Sequence, residues 1–185
     1  VRIIGGAFGG RRLASVGKGD ANAQLRPTSD RVRESLFNIL DNGYPECVAD
    51  ARVLDVFAGT GALGLEALSR GARHVTFIER GRPALKLLRE NIRICDAGSR
   101  TQVIQRDACK PGPPTGPADL VFLDPPYGKH LGEQAIEALM AGGWLSPTAL
   151  VVWEDNQPVA APVSLSQLDE RRYGDTVIRL FENRC

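Results

Sequence analysis

The sequence predicts an α/β fold built on one mostly parallel sheet covered on both faces, and three observations predict it. From residue 51 onward, short apolar runs alternate with segments of helical spacing, the pattern left by βαβ units. One of those runs passes into Gly59-Thr60-Gly61-Ala62-Leu63-Gly64, with glycines spaced between a strand and a helix. The last two extended pieces lie too close together for a crossover helix, so the sheet ends in an antiparallel hairpin.

The elements follow in order. The first 25 or so residues mix glycine, arginine and short apolar pieces (Arg2 to Ile4, Arg11 to Ala14), which predicts a hairpin-like or irregular extension. Thr28 or Ser29 then caps a helix over about 29 to 41, in which Val32, Leu36, Phe37, Ile39 and Leu40 recur at helical spacing. Strands are expected near 52 to 57, 74 to 79, 101 to 105, 119 to 123 and 149 to 154. Helices over 62 to 70, 81 to 95 and 131 to 141 fit between them. Four prolines and two glycines between Lys110 and Pro117 leave room only for a loop. An extended piece near 163 to 170 and a strand from Tyr173 to Glu182 complete the set.

At 185 residues, 43% hydrophobic and 24% charged, the chain can bury a full core but is short for two complete domains. The expected division is a basic extension and helix over 1 to 45 and an α/β domain over 46 to 185. No apolar run approaches the roughly 20 residues of a membrane helix. The start, Val1 to Gly6, lacks the apolar stretch and cleavage site of a signal peptide, so a cytoplasmic location is expected. Cys47, Cys95, Cys109 and Cys185 form no Cys-x-x-Cys pair, and His74 and His130 lie far apart. Neither zinc nor a disulfide is expected.

The strand from Arg52 to Phe57 leads into Ala58 and the glycines, where a Cβ is expected to intrude on a ligand's space. Glu79 closes the next strand, 20 positions after Gly59, where a carboxylate can accept from both hydroxyls of a ribose. This much suits an NAD enzyme and a methyltransferase equally. Asp55 separates them, because a carboxylate there can neutralise a methionine-type ammonium but would oppose a pyrophosphate. Asp107, just past the third strand, can accept the N–H of an adenine amino group.

The strand from Ala118 to Leu123 ends in Asp124-Pro125-Pro126-Tyr127-Gly128. Two prolines stiffen the turn and remove N–H donors, leaving carbonyl oxygens free to face a ligand. An exocyclic amine on a base is a poor nucleophile, since its lone pair is delocalised into the ring. Hydrogen bonds from its two protons to the Asp124 carboxylate and the Pro125 carbonyl would favour a pyramidal nitrogen and free that lone pair. Tyr127 would stack on the base, a contact worth about 1 to 3 kcal/mol in single-strand binders.

With both motifs in place, the sequence resembles the class I methyltransferases of the Asn/Asp-Pro-Pro-Tyr/Phe type, and more narrowly the bacterial 16S ribosomal RNA guanine-N2 methyltransferase D family. The resemblance is carried by Ile3 to Gly6, Leu25 to Asn38, Leu54 to Ala67, and Asp124 to Tyr127. It implies a Rossmann-like, seven-stranded sheet with the last strand inserted antiparallel, S-adenosylmethionine as cofactor, and transfer of one methyl to a guanine N2 of small-subunit rRNA. It implies a cofactor site of Asp55, Phe57, Ala58, Gly59, Thr60, Gly61, Leu63, Glu79, Arg80, Asp107 and Ala108, with Arg26 and Thr28 in the wall near cofactor and base. Catalysis would fall to Asp124, Pro125, Pro126 and Tyr127, with no metal.

Charge points to the same class of partner. Residues 1 to 33 hold seven cations against Asp20 and Asp30, a net of +5; with +1 overall, the remainder carries −4. Arg11, Arg12, Lys18, Arg26, Arg31 and Arg33 are therefore expected to contact RNA phosphates, with Lys129 beside the Pro-Pro-Tyr turn. The expected partner is 16S rRNA, within a small-subunit particle or assembly intermediate, and the expected state is a monomer. Three other readings stay open: a methyltransferase of adenine N6 in DNA or of a protein glutamine, an NAD-dependent oxidoreductase, and a non-catalytic RNA-binding module. The oxidoreductase would have no use for Asp55 or the Pro-Pro-Tyr turn.

Overall fold

The computed structural model describes residues 1–16 and 28–184. Lys18 and Arg26 lie outside the described residues. The element order is α1 (Asp30–Gly43), β1 (Arg52–Val56), α2 (Ala62–Ser69), β2 (His74–Ile78), α3 (Arg82–Ile94), β3 (Thr101–Ile104), β4 (Ala118–Leu123), α4 (Leu131–Ala141), β5 (Leu145–Asp155), β6 (Leu165–Tyr173) and β7 (Thr176–Asn183). The seven strands form one sheet in the order β3-β2-β1-β4-β5-β7-β6. Parallel pairing joins β3 through β5, and β7 is antiparallel to both β5 and β6. The predicted α/β class and the inserted last strand are both observed.

Alternation along each strand divides the core between the two faces of the sheet. Val53, Val75, Phe77, Leu120, Phe122, Leu150 and Val152 pack with the apolar residues of α1, α2 and α3. Their neighbours Leu54, Val56, Ile78, Val121, Leu123, Val151 and Trp153 pack with Ala135, Ile136 and Leu139 of α4. Strands buried on both faces must be apolar throughout, which is why the sequence shows runs there and not alternation.

The N-terminal segment folds back as the sequence suggests. The Ile3 N–H donates to the Arg11 carbonyl at 2.9 Å, the Leu13 N–H donates to Val1 at 3.0 Å, and Arg2 and Arg12 form an antiparallel bridge. Ile3, Phe8 and Leu13 join the same buried cluster as α1 and α2. The segment is clasped to α2 by the fully buried Glu66, whose carboxylate accepts from Ile4 N–H (2.8 Å), Gly5 N–H (2.9 Å), Arg33 Nε (3.4 Å) and Arg70 Nε (2.9 Å). Gly6 has φ +76°, and a Cβ there would stand 1.9 Å from the Ser69 carbonyl oxygen, so only glycine lets the segment lie on the end of α2.

Two boundaries depart from expectation: Tyr173, expected to open the last strand, instead ends β6, with Gly174 and Asp175 forming the turn into β7, and the start of β5 is earlier. β5 begins at Leu145, not near 149, and its pairing with β4 jumps from Ala118↔Leu145 to Leu120↔Leu150. Pro147 lies inside the jump, where a residue without an N–H is tolerated because the ladder is interrupted.

Candidate active site

Because β1 to β4 are parallel, their carboxy-terminal ends stand in one row about 4.8 Å apart. The register aligns Val56 with Ile78 and Leu123, and Ile78 with Ile104. Four acids follow along that row in sheet order: Asp107 after β3, Glu79 after β2, Asp55 in β1 and Asp124 after β4. Sequence spacing alone put each at a strand end; the topology makes them neighbours.

The glycine loop is held from both sides. Phe57 and Gly59 have φ of 58° and 57°, so the chain reverses sharply after β1, and Phe57 does so with a bulky side chain in the left-handed region. Glu79 fixes the turn by accepting N–H groups from Gly59 (2.8 Å), Arg80 (2.9 Å) and Gly81 (2.8 Å). Three of its roughly four acceptor positions are thereby used, leaving one on Oε2 for a hydroxyl. Glu79 is thus a shaper of the loop. From below, the buried Asn91 of α3 donates to the Thr60 carbonyl at 2.9 Å and exchanges hydrogen bonds with the backbone of Ala14. Asn91 was not among the expected site residues. Its signal was a polar side chain on the apolar stripe of Leu85, Leu88 and Ile92.

The glycines act differently from the expectation. At Gly61, φ +79°, a Cβ would stand 2.4 Å from Leu88 Cδ1; at Gly64 it would stand 2.5 Å from the Phe77 ring and 3.0 Å from Asp55 Oδ2. What these two exclude is the protein's own core, because α2 must lie close on β1 and β2. Ala62, Leu63 and Thr60 are buried beside them.

Asp55 is 2% exposed and accepts one N–H, from Gly64 at 2.9 Å. Burial pushes its carboxyl up to about 8, the Gly64 hydrogen bond partly offsets this, and the Glu79 charge adds to it. Among the described residues no cation pairs with it, and at neutral pH it keeps its proton. Asp107 accepts from Cys109 N–H at 3.0 Å and faces the Arg80 guanidinium at 3.4 Å, with Ala108 buried next to it.

The Asp124 N–H reaches the Val56 carbonyl at 3.5 Å, continuing the β1–β4 contact beyond the strands. Asp124 and Tyr127 are half-buried, Pro125 is buried and Pro126 exposed. The Tyr127 hydroxyl lies 3.1 Å from that of Thr176, at the start of β7. The Thr28 hydroxyl donates to Glu154 Oε2 at 3.1 Å, which brings this residue to the end of β5, two strands from the glycine loop. Thr176 and Glu154 carried no motif and could not be singled out in the sequence.

The expected phosphate contacts divide. Arg11, Arg12, Arg31 and Lys129 are exposed. Arg33 is a correction: its side chain is fully buried, paired with Glu66 and Asp30, and hydrogen-bonded to the Arg2 carbonyl, so no phosphate can reach it. Its position three, four and seven residues before Leu36, Phe37 and Leu40 places it on the inward face of α1.

Comparison with known proteins agrees with this geometry. A family model described as Conserved hypothetical protein 95 matches residues 1–182. The ribosomal RNA small subunit methyltransferase D of Escherichia coli K12 is 39% identical over 189 residues, covering 100% of this chain and 91% of that protein. Its namesake from Haemophilus influenzae is 38% identical, covering 99% and 94%. A solved structure described as a methyltransferase, yhhF of Escherichia coli, superposes with a TM-score of 0.85 at 39% identity, covering 100% and 98%. An RNA methyltransferase of Salinibacter ruber, solved with S-adenosyl-L-homocysteine, shares the fold at 16% identity and a TM-score of 0.63, covering 86% and 94%. The chain therefore belongs to the family described as Conserved hypothetical protein 95, alongside proteins named ribosomal RNA small subunit methyltransferase D.

Proposed function

We propose that this protein transfers a methyl group from S-adenosylmethionine to the exocyclic N2 of a guanine in 16S ribosomal RNA. The observation that carries the reading is the Asp124-Pro125-Pro126-Tyr127 turn standing directly beside the glycine loop, in a chain 39% identical over its length to a small-subunit rRNA methyltransferase. The residues fit the cofactor. Asp55, buried and short of a cation, suits its ammonium; the free acceptor position of Glu79 suits a ribose hydroxyl; Asp107 and Ala108 suit the adenine edge. When bound, S-adenosylmethionine supplies an electrophilic methyl on a sulfonium.

The chain's own residues do the rest. The Asp124 carboxylate and the Pro125 carbonyl accept the two amino protons, concentrating the lone pair on nitrogen, and Asp124 can take the proton shed as the new bond forms. Tyr127 offers a face for the base, and its hydroxyl contact with Thr176 limits rotation of the ring. Fixed acceptors and positioning supply most of the acceleration. Thr28 lies at the same end of the sheet, against Glu154. Arg11, Arg12, Arg31 and Lys129 would contact RNA phosphates.

We place the reaction on a cytoplasmic small-subunit particle and take the chain to act as a monomer; no helix among the described residues is long and apolar enough to cross a membrane. The test is transfer of labelled methyl to small subunits lacking their modifications, followed by digestion and nucleoside identification. N2-methylguanosine is expected; methylated adenine or protein would overturn the substrate. Asp124→Ala should lower transfer about 100-fold or more with cofactor affinity nearly intact, and retained activity would remove the amine-activating role.

A further inference from the structure

We propose that the exposed cationic face of α3 is a docking stripe for the phosphate backbone of the substrate RNA, separate from the end of the sheet that receives the base. The proposal rests on the reading of the chain as an RNA methyltransferase. α3 carries Arg82, Lys86, Arg89 and Arg93, at intervals of four, three and four residues. At 3.6 residues per turn these side chains fall within about 60° of one another and span about 17 Å of helix. The apolar stripe of Leu85, Leu88 and Ile92 faces the core, and all four cations are exposed.

Neutralisation is what usually makes a charged helix face unremarkable, and here it is mostly missing. Elsewhere Arg73 pairs with Asp50, Arg80 with Asp107 and Arg171 with Asp169. Among the described residues, no carboxylate forms an ion pair with Arg82, Lys86 or Arg89; Arg93 alone is paired, with Glu90. The four line an open groove together with Glu90, the partner of Arg93, and Gln105, which follows the edge strand β3, so four cations there face one carboxylate. Among the described residues, no strand lies beyond that edge.

Both ends of the stripe are tied to features already described. At its start, the Gly81 N–H donates to Glu79, so the stripe begins at the cofactor loop. At its end, the Ile94 carbonyl accepts from the Arg11 guanidinium at 3.1 Å, and Arg11 and Arg100 lie over the Phe8 ring at 5.0 and 5.7 Å. Two further cations thus continue the line. Donors spread along a line do not converge on a single small anion. They match a polymer whose negative charge repeats at similar intervals, and RNA is the polyanion that the active site requires.

The experiment compares wild type with the triple variant Arg82→Gln, Lys86→Gln, Arg89→Gln. It measures binding to protein-free 16S rRNA at a series of salt concentrations, with thermal unfolding, S-adenosylmethionine affinity and methyl transfer alongside. Expected are a loss of affinity of about tenfold or more and a log–log salt slope shallower by about 2 to 3, with cofactor affinity and the saturated transfer rate unchanged. Should the triple variant unfold, Lys86→Gln and Arg89→Gln singly should each reduce the slope by about 1. Unchanged affinity and slope overturn the stripe and leave the enzymatic reading standing. A loss seen only on protein-bearing particles also overturns it, by assigning the face to a protein. Stripe-dependent RNA binding by a wild-type chain that methylates no RNA would keep the surface and sink the enzymatic reading.

Discussion

Asp55 is held by the folded core in its neutral form, whereas an ammonium beside it would need the charged one. Its carboxyl sits at about 8 against an ordinary 3.8, chiefly because burial removes the water that would stabilise the charge. The folded protein therefore keeps a proton that the unfolded chain has lost. The stability this contributes is complete below about pH 4 and is lost as pH rises through about 8. Asp55→Asn retains an oxygen for the Gly64 N–H and should show a shallower fall of melting temperature between about pH 4 and pH 8 than wild type. Ligand binding reads the same proton from the other side. At pH 7 an ammonium settling against Asp55 should expel close to one proton, visible by calorimetry in buffers of different ionisation enthalpy. The Asn variant should expel none, and equal release from both would take Asp55 out of the cofactor site. Glu79 separates shape from recognition: Glu79→Ala loses three backbone hydrogen bonds and should weaken cofactor binding by about 1 to 3 kcal/mol. Glu79→Gln, which keeps one oxygen, should lose less. The acids were legible in the sequence because each lies at or near the end of a strand. Arg33 was misread, although its spacing from Leu36, Phe37 and Leu40 held the answer, because cationic density was weighed without helical phase.

At the scale of elements, the N-terminal segment and α2 behave as one unit. Glu66, itself fully buried, gathers two backbone N–H groups and two guanidinium groups, so its removal strands Arg33 as a buried, under-compensated cation. Glu66→Ala should destabilise the protein by about 3 to 5 kcal/mol in urea unfolding. A loss below 1 kcal/mol would mean that the clasp is replaceable. Gly6→Ala meets both a left-handed φ and the Ser69 carbonyl, and should lower the melting temperature by several degrees without changing the cofactor site. Most of the elements could be read from the alternation of apolar runs and helical spacing. The start of β5 could not, because Pro147 reads as a strand stop and only the interrupted ladder with β4 accommodates it.

At the scale of the whole molecule, the same buried cluster contains Ile3, Phe8 and Leu13 with residues of β1, β2, β4 and β5. Thermal unfolding should therefore show one transition, and removing residues 1–13 should lower its midpoint instead of leaving an unaltered remainder. Two separated transitions in calorimetry would contradict this. The sequence could place four acids at four strand ends but not side by side, since strand order is a property of tertiary pairing. It could place the basic residues of α3 on a helix without showing that Arg82, Lys86 and Arg89 form no ion pair among the described residues.

The position of β7 also bears on how the chain is made. β7 fills the slot between β5 and β6, so β5 leaves synthesis with one edge unmatched, and residues 156–175 must follow before the strand that covers it exists. During that interval Val151 and Trp153 border an open template for any passing strand. Completion of the sheet comes by insertion, not by addition at the rim, so a pause in translation near β6 should be the moment at which this protein is most prone to aggregate and most dependent on chaperones.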